Sequence, residues 1–238
     1  MVTSSNVSSQ DLADRLGVIA RELRTQSEDV ADTLESVVAI ATDLVPACDE
    51  AGVTLMRRKG GITTPAATGE VARAGDALQV ELNEGPCLDA LWGQEVVSSS
   101  NLAADLRWPQ WGPRIARDFE VGSMLCVRLF TDEDTLGALN LYSLREDAFD
   151  EMARIEALAL AAHVAVALAA AQEIGQLRVA IESRTVIGQA EGILMERFGL
   201  SAGQAFAALV RASSVANRKL SAIAGELVAS RQLPTVPR

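Results

Sequence analysis

The spacing of apolar side chains predicts an alternation of helices and strands over the first part of the chain. Residues 12–23 and 30–44 carry apolar side chains every three or four positions, which is typical of amphipathic helices. Short segments rich in branched or alternating apolar residues predict strands at 51–56, 62–67, 96–100, 123–131 and 136–143. Inserted helices are predicted at 69–78, 85–92 and 109–118. This order predicts an α+β domain whose antiparallel sheet is covered by helices on one face.

A long helix is predicted next, from about residue 150 to 183, and three short helices follow it. The first of these stops at Gly199, where a left-handed helix cap favours glycine. Ser201 and Gln204 have the spacing of a capping box, and Asn217 is predicted to end the second helix. The apolar positions predict an all-α three-helix bundle with the core residues Leu194, Met195, Phe198, Phe206, Leu209, Leu220 and Ile223.

Two apolar stripes on the long helix predict how it packs. One stripe is predicted to lie on the sheet and contains Ile155, Leu158, Ala162, Ala165 and Ala169. The other has alternating spacings of three and four, as in a heptad repeat, and predicts a parallel homodimer. A packed interface role is favoured for its histidine over a ligand role. The residues of this second stripe, termed the predicted seam, are Leu160, His163, Ala167, Ala170, Ile174, Leu177 and Ile181.

The charge of the chain is divided unevenly. Residues 177–238 contain eight Arg or Lys against four Glu, whereas residues 1–176 contain 13 against 28, within a total net charge of −11. A cationic end on an acidic body indicates an anionic partner, although a solvated charged face has the same composition. Five cations lie between the apolar positions of the predicted bundle: Arg184, Arg197, Arg211, Arg218 and Lys219.

The C-terminal region also carries a specific motif. The segments AEGILM at 190–195, GLS at 199–201, AFAAL at 205–209 and NRKL at 217–220 closely resemble the ANTAR family of RNA-binding antitermination domains, over about residues 177–232. The resemblance implies binding of paired stem-loops in nascent or leader RNA by a dimer, with the five cations as RNA contacts. Family members often carry Lys where this chain has Glu191. Close helix packing is favoured over RNA contact for Ala190 and Gly192.

The preceding region resembles a GAF domain, in the order of its elements and in the segments EGPC at 84–87 and LGALNLY at 136–142. GAF domains are commonly small-molecule sensors or dimerisation modules, so a small-molecule ligand is a further candidate partner. The resemblance places a pocket beside residues 82–111, where all three Trp lie. A core under a long loop is favoured over an aromatic ligand site. The pocket candidates are Cys87, Trp92, Trp108 and Trp111.

Motifs for catalysis are sparse. One His and three dispersed Cys do not provide a zinc site or a catalytic triad, and neither of the common phosphate-binding glycine motifs occurs. Buried, unreactive thiols are favoured for Cys48, Cys87 and Cys126 over redox chemistry, although a catalytic GAF-type oxidoreductase that uses Cys87 is a third hypothesis. We therefore expect no enzyme activity, cofactor or metal. The absence of a signal peptide or membrane span predicts a cytoplasmic protein.

These patterns give one domain organisation and two functional hypotheses. The predicted divisions are an N-terminal helical segment at 1–28, the GAF-like sensor domain at 29–171, a connecting coiled-coil helix at 172–183, the ANTAR-like domain at 184–232 and a tail at 233–238. The favoured function is an RNA-binding regulator of transcription antitermination or of expression after transcription, with twin stem-loops as its target. The alternative is a signalling adaptor whose helical tail binds a protein, with the GAF-like domain as a dimerisation module.

Overall fold

The computed structural model describes residues 3–26, 30–57, 61–131 and 134–230. They form two compact units that divide between Glu173 and Ile174. The elements of the first unit are α1 (Thr3–Gln26), α2 (Val30–Leu44), β1 (Glu50–Met56), β2 (Ile62–Ala67), α3 (Glu70–Leu82), α4 (Pro86–Trp92), β3 (Val96–Ser99), α5 (Trp111–Phe119), β4 (Ser123–Phe130), β5 (Thr135–Ser143) and the first part of α6 (Glu151–Phe198). The second unit continues along α6 and adds α7 (Ala202–Ala216) and α8 (Leu220–Ser230).

The five strands form one antiparallel sheet in the order β2-β1-β5-β4-β3. The predicted α+β class is therefore confirmed, and β4 and β5 pair as the predicted hairpin. Parts of two predicted turns, residues 58–60 and 132–133, lie outside the described residues. So do residues 231–232 of the predicted bundle and the predicted tail at 233–238.

Helices cover both faces of the sheet, so the prediction of a single covered face is wrong. The side chains of α1, α2 and α6 share a core with Val127 and Leu139 on one face. Those of α3, α4 and α5 share a second core with Met124, Cys126 and Ala138 on the other face. Because alternate residues of a strand point to opposite faces, β4 is buried on both sides over most of its length. Its nearly continuous apolar sequence is the signal of two-sided burial.

Helix α6 is long and apolar enough to cross a membrane, judged by length and composition alone. Half of its most apolar stretch is buried within the protein. Ala157, Leu160, Val164 and Leu168 belong to the same core as the sheet. Packing of α6 on the sheet therefore accounts for its apolar composition.

In the second unit, α6 continues to Phe198 without the predicted break near residue 184. No proline interrupts it, and it ends before Gly199, whose φ is 62°. The hydroxyl of Ser201 accepts a hydrogen bond from the backbone N–H of Gln204, and the Gln204 side chain accepts one from the N–H of Ser201, which confirms the capping box. Asn217 ends α7 with a φ of 49°.

The core of the second unit is built from small and aliphatic side chains. The predicted burial of Met195, Phe198 and Phe206 is wrong, because all three are exposed. Alanines at the helix contacts allow the three helices to approach closely, which leaves little room for an aromatic ring between them. The buried residues are Ala190, Leu194, Ala205, Leu209, Ile223, Ala224 and Leu227.

Candidate functional site

A completely buried carboxylate lies between α3 and the sheet. Asp76 Oδ1 accepts hydrogen bonds from the hydroxyl of Tyr142 at 2.5 Å and from Asn140 Nδ2 at 2.8 Å. Its Oδ2 accepts hydrogen bonds from the hydroxyls of Thr54 at 3.1 Å and Thr64 at 3.0 Å. All four partners are neutral donors. Burial raises the pKa of Asp76, while the donated hydrogen bonds act in the opposite direction.

This Asp76 cluster, formed by Asp76, Thr54, Thr64, Asn140 and Tyr142, continues into a larger hydrogen-bond network. Gln79 Nε2 donates to the hydroxyl of Tyr142 at 3.3 Å, and the backbone N–H of Cys87 donates to Gln79 Oε1 at 2.7 Å. The thiol of Cys126 donates to Asn140 Oδ1 at 2.9 Å. The network pairs the buried polar groups that lie between α3, α4 and the sheet.

Sequence analysis did not single out Asp76, although a signal was available. Ala72, Asp76 and Gln79 are spaced by four and three residues and are all buried on one face of α3. A carboxylate in a buried helical stripe indicates either a polar network or a binding site.

Two of the predicted pocket tryptophans belong to the core. Trp108 and Trp111 are buried, and their ring centroids lie 6.1 Å apart in an edge-to-face arrangement. Trp108 Nε1 donates to Asp89 Oδ2 at 3.0 Å, and Trp111 Nε1 donates to the carbonyl oxygen of Gly75 at 3.1 Å. Trp92, by contrast, is 68% exposed. The four predicted pocket residues therefore do not share one environment.

The three thiols are buried. Burial raises the pKa of Cys48 to about 12 and the pKa of Cys126 well above its ordinary value. Cys87 is buried at the start of α4, in the same core as Cys126. Within the described parts of the chain, no group of three or more His, Cys, Asp or Glu side chains is placed to hold a metal ion.

The predicted RNA contacts lie on the surface of the second unit. Arg184, Arg197, Arg211 and Lys219 are exposed, while Arg218 forms an ion pair with Glu226 at 2.7 Å. Residues 197–225, termed the acid-free stretch, contain four cations and no carboxylate in a chain that carries 32 acidic residues. The stretch includes all of α7. All the charged side chains of the acid-free stretch are therefore cationic.

A second surface runs along α6 on the side opposite the bundle core. By helix geometry it faces away from Ala190 and Leu194, and its residues recur at spacings of three and four. A Cβ added at Gly188 or Gly192 would meet no described atom within 4 Å. Close packing within the bundle is therefore observed for Ala190 but not for Gly192. The exposed residues of this outer stripe are Ile174, Leu177, Ile181, Thr185, Gly188, Gly192 and Met195.

The predicted seam needs a correction in its first half. Leu160 and Ala167 are buried in the core of the first unit, so they are not available to a second chain. His163 and Ala170 are partly buried, and His163 Nδ1 lies 2.7 Å from the carbonyl oxygen of Ala159. Only Ile174, Leu177 and Ile181 of the predicted seam are exposed, and they belong to the outer stripe.

The stripe predicted to lie on the sheet is only partly correct, because Leu158 packs against the core of the first unit and Ala165 is buried, but other members are exposed. Ile155 and Ala162 are exposed, and so is the neighbouring Val166, at 69%. A groove of about 550 Å³ lies beside Ala162 and Val166, between α6 and Leu23 of α1. In the first unit, the exposed apolar ridge of α6 therefore runs through Ile155, Ala162 and Val166.

Comparison with known proteins agrees with this two-unit organisation. A family model for the GAF domain matches residues 27–169, so the chain belongs to the GAF domain family. A second family model, for the ANTAR domain, matches residues 175–228. The protein therefore has the GAF–ANTAR architecture, a sensor domain followed by a domain of an RNA-binding class, and is a regulator of the ANTAR type.

Solved structures resemble the first unit. The GAF domain of a phosphoenolpyruvate-protein phosphotransferase from Coxiella burnetii is 18% identical, with a TM-score of 0.57 over 70% of this chain and 98% of that chain. Its counterpart from Acinetobacter is 20% identical, with a TM-score of 0.54 over 69% and 97%. A free methionine-R-sulfoxide reductase from Neisseria meningitidis, solved with its substrate, is 17% identical, with a TM-score of 0.54 over 68% and 90%. At such identities the likeness establishes the fold alone. No curated protein matched significantly.

Proposed function

We propose that this protein is a cytoplasmic, homodimeric RNA-binding regulator. In this proposal the ANTAR domain binds twin stem-loops in nascent or leader RNA, and so prevents a terminator hairpin or changes access to the sequence downstream. The GAF domain senses a signal and helps to set the geometry of the dimer. The observation that carries the proposal is the acid-free stretch, which places Arg211 and Lys219 on an exposed cationic surface.

The charge distribution supports a nucleic-acid partner. The chain has a net charge of −11, so the protein as a whole repels polyanions at long range. Arg211 and Lys219 are exposed in a stretch that contains no carboxylate, so they can attract phosphates locally, whereas Arg218 is paired with Glu226. Lys and Arg in such a surface contact phosphates and orient the RNA, but they do not distinguish sequences by themselves.

The outer stripe supports a dimer. Ile174, Leu177 and Ile181 expose apolar side chains on the part of α6 that begins the second unit. Pairing with α6 of a second copy would bury them, and Gly188 and Gly192 would allow the two backbones to approach closely. A parallel pair would hold two RNA-binding surfaces at a fixed separation. Binding two stem-loops at once raises the avidity by ~10² or more when the geometry permits both contacts.

We also propose that the GAF domain acts without catalysis, on a small-molecule signal. The burial of Cys87 gives no support to the oxidoreductase hypothesis, because a nucleophilic thiol needs access to its substrate. The Asp76 cluster and the Trp108–Trp111 pair occupy the interior beside α3 and α5. A ligand entering there would have to displace these side chains, which would provide a route from binding to rearrangement of the inserted helices.

The test is recovery of native RNA with the full-length protein, followed by sequencing and a search for paired hairpins. Binding of the enriched RNA is then measured as a function of salt. The double variant Arg211→Ala, Lys219→Ala should weaken binding and reduce the slope of log K against log salt by about 0.7–0.9 for each lost phosphate contact. A matched control, Arg57→Ala with Arg154→Ala, removes two exposed cations from the first unit and should leave the slope unchanged.

The two functional hypotheses predict different results in this experiment. Enrichment of structured RNA, with affinity that falls steeply as salt rises, supports the proposal. Failure to enrich RNA, or binding that does not depend on salt, would contradict it and favour the adaptor hypothesis.

A further inference from the structure

One arginine of the sheet lacks the partners that a buried cation needs. Arg128 lies on β4, and its Nε is buried without a hydrogen-bond partner in the described part of the chain. Its guanidinium forms no ion pair with a described residue, and its Cζ lies 4.8 Å from the centre of the Phe130 ring. Buried donors are normally paired with a protein group, a water or a bound ion, so the partner of this one comes from solution.

A pocket of about 350 Å³ borders Arg128 at the edge of the sheet. Strand β3 pairs with β4 only as far as Val127, and the N–H of Arg128 donates to the carbonyl oxygen of Glu95, just before β3 begins. Beyond this point β4 is the edge of the described sheet. Because neighbouring residues of a strand point to opposite faces, a pocket bordered by both Val127 and Arg128 lies around this edge.

Most of the wall of this edge pocket is apolar. The residues that α6 contributes are Leu158, Ala161, Ala162 and Val166. Val127 and Phe130 extend the apolar wall along β4, and Thr131 adds a hydroxyl group. Glu95 also borders the pocket, but it is exposed and forms no ion pair with Arg128. Apolar walls beside an unpaired cation fit a molecule that has an apolar body and one negative charge.

We infer that the edge pocket binds a small apolar carboxylate, whose oxygens accept hydrogen bonds from the guanidinium of Arg128 and whose hydrocarbon part lies against α6. A guanidinium and a carboxylate match in shape and can form two parallel hydrogen bonds. Such a ligand would also cover Val166, which is 69% exposed. The inference rests on the proposed sensing role of the first unit and gives the signal a chemical class. It provides a site that a ligand can reach without displacing the Asp76 cluster.

The test is calorimetric titration of the full-length protein with benzoate, 3-phenylpropionate and hexanoate. Neutral benzamide and inorganic phosphate are the comparison probes, and both should bind more weakly than the carboxylates. Arg128→Gln should weaken carboxylate binding by about 10- to 100-fold, as expected for lost hydrogen bonds to a charged group. Arg128→Lys should recover only part of this loss, because an ammonium group cannot form the paired hydrogen bonds. Glu95→Gln should strengthen binding by about two- to fivefold, because it removes a nearby like charge.

Two further variants separate the edge pocket from general effects of charge. Arg145→Gln removes an exposed arginine at the opposite end of the sheet, where Ser143 pairs with Ser123, and it should bind the carboxylates like the wild type. Ala162→Asp places a carboxylate in the exposed part of the pocket wall and should abolish binding, with an unchanged circular dichroism spectrum.

The outcomes that would overturn the inference are distinct from those that concern RNA. Equal binding of benzoate and benzamide, or no binding of any carboxylate, would overturn it and leave the proposed RNA-binding function intact. Tighter binding of phosphate would overturn it by showing a general anion site. Unchanged binding in Arg128→Gln or Ala162→Asp would overturn it by placing the ligand elsewhere. Lack of RNA binding by the wild type would overturn the proposed function without altering these titrations.

Discussion

The two units of this protein differ in the burial of their aromatic side chains. In the first unit Trp108, Trp111 and Tyr142 are among the largest fully buried residues. In the second unit the fully buried residues are alanine and aliphatic side chains, and Phe198 and Phe206 remain exposed. Trp108, Trp111 and Tyr142 therefore stabilise the fold of the first unit, whereas Phe198 and Phe206 of the second unit are exposed to solvent.

The buried polar groups differ in the same way. The first unit encloses a carboxylate and pairs it with four donors, an arrangement that fixes the positions of Asp76, Asn140 and Tyr142. The second unit encloses no charged side chain among its described residues. Its charges lie on the surface, where solvent and a polyanion can reach them. The comparison indicates that the first unit contains a buried polar network, while the charged side chains of the second unit face solvent.

The largest effect is expected from truncation of a buried ring in the first unit. Trp111→Ala removes a fully buried side chain and its hydrogen bond to Gly75, and it should lower the free energy of unfolding by about 3–5 kcal/mol. Trp92→Ala is the control, because this residue is exposed, and it should change stability by about 0.5 kcal/mol or less. Urea unfolding measures both. Equal losses in the two variants would contradict the distinction between core and surface tryptophans.

The next effect concerns the outer stripe of the second unit. Ile174→Asp with Leu177→Asp would place four carboxylates in one dimer interface, and their desolvation and repulsion should give a monomer. The affinity for RNA should fall at least about tenfold, because each monomer can then bind only one stem-loop. Sedimentation and gel-shift titration measure the two results.

The chain offers a matched control for this variant. Gln176→Asp with Val179→Asp introduces the same two charges at exposed positions with the same spacing, on the other side of α6. This control should remain dimeric. If the variant Ile174→Asp with Leu177→Asp remains dimeric, the interface lies on another surface, such as the ridge at Val166 in the first unit. If the variant is a monomer with undiminished affinity for RNA, then RNA binding does not require the dimer.

Sequence patterns predicted most of these elements because their signals are local. The capping box at Ser201 depends on two residues three apart, and the β4–β5 hairpin follows from two apolar segments joined by a short acidic loop. The errors on α6 have a different cause. Between residues 157 and 171 both sides of the helix are rich in alanine, so hydrophobicity alone does not tell the side facing the sheet from the exposed side.

The core of the second unit and the Asp76 cluster required tertiary information. Size suggested that Phe206 is buried, but Ala190, Ala205 and Ala224 bring the helices too close together for a ring. The donors to Asp76 come from Thr54, Thr64, Asn140 and Tyr142, which are up to 66 residues away in the chain. No spacing rule relates these positions, because sheet pairing brings them together.

A smaller effect is expected from the pH dependence of Asp76. Its pKa is raised in the folded protein, so its stabilising contribution is greatest below the ordinary carboxyl pKa of about 4 and is lost as the pH rises through the folded value. The stability advantage of the wild type over Asp76→Asn should therefore shrink by roughly 1 kcal/mol for each unit by which the pKa is raised. Urea unfolding at a series of pH values measures this difference.

Asp105 supplies a control of opposite sign. The Arg107 guanidinium lowers the pKa of Asp105 to about 2, so its contribution is present above the ordinary carboxyl pKa and is lost as the pH falls through the folded value. The advantage of the wild type over Asp105→Asn should therefore grow with rising pH in the acid range. A pH-independent difference for Asp76→Asn would mean that folding does not shift the pKa of Asp76, and a difference that grows with rising pH would mean that its four donors lower that pKa.

The smallest effect on stability is expected at Phe206, which is exposed in the second unit, whereas Trp111 is buried in the first. A buried Phe costs about 3–5 kcal/mol when truncated to Ala, but this ring is already 44% exposed and lies outside the closely packed contacts of Ala205 and Leu209. Phe206→Ala should therefore lower the free energy of unfolding by about 1 kcal/mol or less, and circular dichroism should still detect an intact helical bundle. The matched variant Leu209→Ala, in the buried core of the same helix, should cost about 2–5 kcal/mol. A loss at Phe206 as large as that at Leu209 would place the ring in the core of the bundle.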